Sequence, residues 1–169
     1  MKTAWNDVLK YAVIGNILHL GICLIYSFIS NKSITLSISF TILILAMYFV
    51  LALKYSISGE KKREISVLQL SIVTTLPIII FLIAGQILES IQELSSIQNY
   101  SLFYIIGAPT LFWNKPFEPI MTLFEKSSIY IQMDINVAVV ILGLLIGGYL
   151  GSFIKKSREL KKIDDKNLG

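Results

Sequence analysis

Apolar residues fill four long stretches of this chain, and charged residues are missing from each of them. No Asp, Glu, Lys or Arg occurs from Tyr11 to Asn31, Ser33 to Leu53, Ile65 to Leu88, or Ile135 to Ile154. These gaps are 21, 21, 24 and 20 residues long. A helix crossing about 30 Å of hydrocarbon needs about 20 apolar residues. The pattern therefore predicts an all-α, polytopic membrane protein with four transmembrane helices, at about 11–31, 33–53, 65–88 and 135–154. Residues 1–154 read as a single domain and 155–169 as a basic, solvated tail.

Between the third and fourth spans lies an outer segment, 89–134, with a different pattern. It contains a fifth charge-free gap, from Leu94 to Asn114. Its first half, "LSSIQNYS", is polar, and "GAP" at 107–109 interrupts the remainder. About a dozen apolar residues are too few to span, so it is read as interfacial or re-entrant. Helical spacing of apolar residues from Ile87 to Ile97 carries helix 3 beyond its span. After Pro119, the residues Ile120, Leu123, Phe124, Ser127, Tyr130 and Ile131 share one helical face. That predicts a short amphipathic helix on the outer side. Eight aromatic residues fall between Tyr100 and Tyr130, as membrane–water interfaces favour.

Charge adds direction. With both termini cytoplasmic, 12 of the 15 cations lie inside and only Lys32, Lys115 and Lys126 outside. A fifth span would turn this into 8 against 7. The bias selects four spans, N-in and C-in. The net charge of +4 is thereby explained by membrane threading, and no nucleic-acid partner is expected. Isoleucine occurs 29 times and Lys outnumbers Arg 13 to 2, which fits an AT-rich bacterial genome and a plasma membrane location. The bilayer itself is the first partner. A second membrane protein, or another copy of the chain, is the next.

Candidate sites follow from residues that do not suit a lipid-facing helix. Gly143, Gly147 and Gly151 recur every four residues, and Gly148 widens the groove they make. Small residues let helix backbones approach closely in lipid. The groove is read as helix packing, either within the bundle or as a seam between copies, with helix 1 as the expected neighbour and Leu144 on another face. Helix 1 carries a small and polar stripe: Gly15, Asn16, His19, Cys23, Tyr26, Ser27 and Ser30. Asn16 and His19 form a candidate polar membrane site, since ionisable residues in a span are functional candidates by default. The plainer reading is a neutral imidazole bonded to Asn16 or to a hydroxyl on another helix. Ser37 and Thr41 share a face of helix 2 and are expected to bond across helices. Pro77 frees the carbonyl of Val73, which Thr74 or a neighbouring helix would satisfy. Trp113, Phe117 and Phe124 are the candidate partner surface, beside the "NKPFEP" turn. Glu89 and Glu93, one turn apart, read as a solvated face.

Several chemistries lack their residues. Intramembrane aspartyl hydrolysis needs paired membrane aspartates, and Asp134 stands alone. Disulfide exchange needs a cysteine pair, and Cys23 is the single cysteine. Proton-coupled export of the small four-helix kind needs a membrane glutamate, and the charge-free spans hold none. No catalytic set, cofactor or metal site is expected. The sequence reading is a small non-enzymatic protein of accessory, regulatory or immunity type that binds a partner in or above the membrane. The alternative is a small oligomeric channel or transporter.

Overall fold

The computed structural model describes residues 2–30, 32–58, 64–95 and 100–167. Over those residues the secondary structure is helical. The long helices are α1 (Lys2–Phe28), α2 (Ile34–Ser58), α3 (Glu64–Ser95) and α6 (Ile129–Asn167). Between α3 and α6 come α4 (Tyr100–Asn114), a 3-10 turn (Lys115–Phe117) and the short α5 (Glu118–Leu123). Four segments are long and apolar enough to cross a membrane: Trp5–Phe28, Ile34–Ser58, Ser66–Ile91 and Ile129–Lys161. Each of these four helices overlaps one of the four expected spans.

Local chemistry sets the ends. Ser33 caps α2, its Oγ accepting the Leu36 N–H at 3.2 Å. Ser128 does the same for α6, accepting the Ile131 N–H at 3.4 Å. α1 stops at Phe28, three residues before the expected end. α1 and α2 are antiparallel, with Tyr26 beside Phe40 at one end and Tyr11 beside Tyr55 at the other. α2 and α6 run parallel, Leu45, Phe49 and Leu53 meeting Gly143, Gly147 and Gly151 in order. α3 is antiparallel to α6, with Gly85 near Tyr130 and Val67 near Gly148.

Two expectations are corrected here. The amphipathic helix after Pro119 ends at Leu123, and a turn at 124–127 separates it from α6. Ser128 caps a new helix there, so the apolar spacing of 120–131 is shared by two helices and a turn. "GAP" does not interrupt the outer segment, because α4 runs through Gly107 and Pro109. The basic stretch from 155 is helical: α6 continues unbroken to Asn167, with Lys155 and Glu159 paired one turn apart at 3.8 Å.

The core fits this arrangement. Ile44, Tyr48 and Ala52 of α2, Leu70, Ile78 and Leu82 of α3, and Val140 and Leu144 of α6 are buried. Trp113 and Phe117, from the short segment, join the same core. The end of α4 and the 3-10 turn thus fold into the bundle between the long helices.

Candidate functional site

Two of the polar bonds between the inserted turn and the long helices can be traced to a backbone problem. A helix ends with carbonyls that lack intrahelical donors. α4 ends at Asn114, and Pro116 has no N–H to offer the last turn. In an apolar surrounding each orphan carbonyl needs a donor from elsewhere. His19 and Thr41 supply them. His19 Nε2 lies 2.9 Å from the Trp113 carbonyl, and Thr41 Oγ1 lies 2.6 Å from the Pro116 carbonyl. The Cys23 thiol also points at the Trp113 carbonyl, at 3.6 Å.

A carbonyl only accepts, so the geometry assigns the proton on His19 to Nε2. Nδ1 is then the acceptor for the Tyr48 hydroxyl, 3.1 Å away. One neutral imidazole satisfies both neighbours. Its ring stacks on Trp113, with centroids 4.3 Å apart and planes 7° off parallel. Phe117 and Tyr48 close the other sides at 5.8 and 5.7 Å. Beneath the turn, the Asn136 amide donates to Asn114 Oδ1 at 2.8 Å, and the Asn114 amide donates to the Thr110 carbonyl at 2.9 Å. Among the described residues, Trp113 Nε1 and Asn136 Oδ1 here, and Thr74 Oγ1 on α3, are buried without a hydrogen-bond partner.

Above the turn the chemistry becomes charged. The Tyr26 hydroxyl donates to Glu118 Oε2 at 3.0 Å and shares a hydrogen bond with Ser37 Oγ at 2.7 Å. Lys32 sits over the Tyr26 ring, 4.4 Å from its centroid. A cleft of about 680 Å³ lies between α2 and α5, lined by Lys32, Ile34, Ile38, Ile42, Glu118 and Leu123 among others. A second, of about 600 Å³, lies beside α4 and shares Lys32 and Glu118 with the first. Lys115 lines this second cleft.

The sequence-derived candidates fall in different places. Asn16 and His19 do not bond to each other. The Asn16 amide donates to the Thr74 carbonyl at 2.9 Å, joining α1 to α3 one turn before Pro77. The Thr74 hydroxyl has no partner among the described residues, so it does not satisfy the Val73 carbonyl that Pro77 frees. Ser37 and Thr41 do bond across helices, as their shared face suggested. Trp113 and Phe117 are 5% and 0% exposed, so neither is available to a partner. The expectation of an exposed surface there is wrong because the turn is inserted and its rings fill the core. Phe124 is different: it is 41% exposed at the α5–α6 corner.

Gly143, Gly147 and Gly151 meet α2 and Gly148 meets α3, none of them α1. A Cβ on Gly147 would collide with the Phe49 carbonyl, and one on Gly151 would lie 2.6 Å from the Leu53 carbonyl. Gly148 faces the Val67 side chain, and Gly143 has 3.9 Å to its nearest neighbour, the Leu45 carbonyl. Leu144 is also not off the packed face, being 1% exposed. Glu89 is tied to the Tyr130 hydroxyl, and the Glu93 side chain lies outside the described ones. Sequence reasoning missed Tyr48, Asn114, Glu118 and Asn136. Asn136 had a signal, being the one carboxamide inside the fourth charge-free gap. Among the described residues no group of three His, Cys, Asp or Glu is placed to hold a metal. No protein family, curated protein or solved structure matches the chain.

Proposed function

We propose that this is a small, non-enzymatic, multi-pass protein of a bacterial plasma membrane, of accessory, regulatory or immunity type, which binds a partner in or just above the membrane. Both termini are cytoplasmic in this reading, on the cation bias of 12 to 3. The Lys32 turn and the α5–α6 corner then face outward. His19 lies nine residues from the end of α1, about 13 Å down at the helical rise, so the Trp113–Phe117 turn is re-entrant.

The observation that carries the reading is the use made of polar side chains. His19, Thr41, Tyr26 and Asn136 come from three long helices and converge on one short turn. Such pinning holds the α5–α6 corner rigidly, and preorganised surfaces bind with less ordering cost. That corner leaves Leu123, Phe124, Ile129 and Ile131 exposed. The rival reading, transport by an oligomer, draws on the unpartnered Thr74 Oγ1, Trp113 Nε1 and Asn136 Oδ1, which water or a solute would satisfy.

Photocrosslinking in cells separates the two. A photoreactive phenylalanine analogue at position 124 is expected to give one discrete heteromeric adduct, and none from position 142 on the exposed flank of α6. Adducts only between copies of the chain, from position 142, would replace the accessory reading by the oligomeric one. Reporter fusions at residue 169 and in the 54–64 loop, both reading cytoplasmic, test the threading.

A further inference from the structure

We infer that the joined clefts around Lys32 form a binding site for one anionic lipid of the outer leaflet, with its phosphate at Lys32 and Lys115 and an acyl chain along α2. The inference rests on the membrane placement proposed above and goes beyond partner binding.

Three observations carry it. First, the positive-inside pattern disfavours outer cations, yet two of the three outer lysines line the same cleft. Among the described residues neither makes an ion pair, and Glu118, the one acid lining this cleft, accepts from the Tyr26 hydroxyl, so two cations face one carboxylate. The cleft therefore holds an excess of positive charge. Second, the Lys32 ammonium lies over the Tyr26 ring, whose hydroxyl is bonded to Ser37 and Glu118, which places the cation at the mouth of the cleft. Third, the neighbouring cleft continues downward from Lys32 as an apolar trough. Ile34, Ile38 and Ile42 recur every four residues and are 73%, 43% and 60% exposed. They form one stripe of α2 about 12 Å long at the helical rise, and Leu123 of α5 faces it across the cleft. A charged head above and a hydrocarbon trough leading away below match a phospholipid. A soluble anion has no use for the trough.

The test uses the full chain purified in a neutral maltoside detergent, where binding does not depend on which side of a membrane the cleft faces. Thermal unfolding is followed as phosphatidylglycerol is added to the micelles. A saturable rise in the midpoint is expected, half-complete at a mole fraction at least tenfold below that needed with phosphatidylcholine. The Lys32→Gln/Lys115→Gln double variant should raise that fraction at least tenfold, and Ile38→Asn about fivefold. Lys126→Gln, outside the cleft, should leave it unchanged. Should the double variant lose its fold, the exposed Lys115→Gln alone carries the test, with at least a threefold rise expected. Equal weakening by Lys126→Gln would mean general interfacial charge and overturn the site. So would wild-type binding by the lysine variants. An equal rise with inorganic phosphate would show an anion site without a lipid.

Discussion

The two ends of this bundle hold helices together by opposite means. Toward one end, α2 and α6 meet through glycine, and the contact is backbone against backbone, with Phe49 and Leu53 carbonyls resting on Gly147 and Gly151. At the other end, His19 and Thr41 reach across to carbonyls of an inserted turn. The first device depends on the absence of side chains, the second on side chains with a proton to give. Both answer the same condition. Between helices in an apolar solvent there is little hydrophobic gain, so what remains is close packing and hydrogen bonds. At Gly147 and Gly151 the seam leaves no room for an added atom, and a hydrogen-bonded turn tolerates the loss of one donor at modest cost. The two ends should therefore differ sharply in how they fail.

The largest effect is expected at the seam. Gly147→Leu places a branched side chain against the Phe49 carbonyl, and overpacking costs about 1–3 kcal/mol or more where backbone must move. Because the colliding atom belongs to a helix backbone, no rotamer change relieves it. No monodisperse folded protein is expected on size exclusion. Gly143→Ala is the internal control, since its Cβ would find its nearest neighbour at an ordinary 3.9 Å. It should stay within about 0.5 kcal/mol of the parent. Equal behaviour of the two variants would show that the seam is not where the structure places it.

The same contrast explains what could be read from the sequence. Spans were legible because desolvated charge is forbidden over about 20 residues, a rule that acts locally and leaves gaps in plain view. The seam was half legible. Small residues every four positions announce a close approach, but a glycine names no partner, and α2 offers it only carbonyls, which every residue possesses. The inserted turn was hardly legible. His19 and Trp113 are 94 residues apart, and the bond between them ends on a backbone atom. Aromatic residues suit an interface and a core equally well, so composition alone could not place Trp113 and Phe117. "GAP" misled because Gly and Pro break helices in water, whereas neighbours inside a bundle can satisfy the freed groups.

At the inserted end, the next effect in size comes from the rings themselves. Trp113→Ala and Phe117→Ala should each destabilise by about 3 kcal/mol, the low end of the range for such core truncations, since lipid lessens the transfer component. The thermal midpoint in detergent should fall by roughly 6–12 °C. A partner-facing role would predict the reverse, with normal stability and lost binding. His19→Leu should cost less, about 1.5 kcal/mol, near the upper end for hydrogen bonds measured between membrane helices. His19→Gln, which keeps a donor, should recover part of it. Cys23 is a convenient reporter here, being the sole cysteine, fully buried and pointed at the same carbonyl as His19. If the turn opens more often, a water-soluble maleimide should label Cys23 about tenfold faster in His19→Leu, the factor that corresponds to about 1.4 kcal/mol.

The smallest effect is the most informative about cooperativity. Thr41→Val keeps the shape of the side chain and removes the donor to the Pro116 carbonyl. A bond of this class between membrane helices averages about 0.6 kcal/mol. That is close to RT, so labelling of Cys23 should rise only about threefold. Thr41 stands on α2 and Cys23 on α1, and the two grip different carbonyls of the turn. A change at one can reach the other only if the turn leaves as a unit, because local openings proceed in cooperative blocks. If it does, the two substitutions multiply, and Thr41→Val/His19→Leu should label about thirtyfold faster than the parent. If Trp113 and Pro116 are released in separate events, Thr41→Val will leave the Cys23 rate untouched while still lowering the thermal midpoint. That outcome would divide the inserted end into independent pins. Its contrast with the seam, where one added atom is expected to disrupt the whole contact, would then be sharper still.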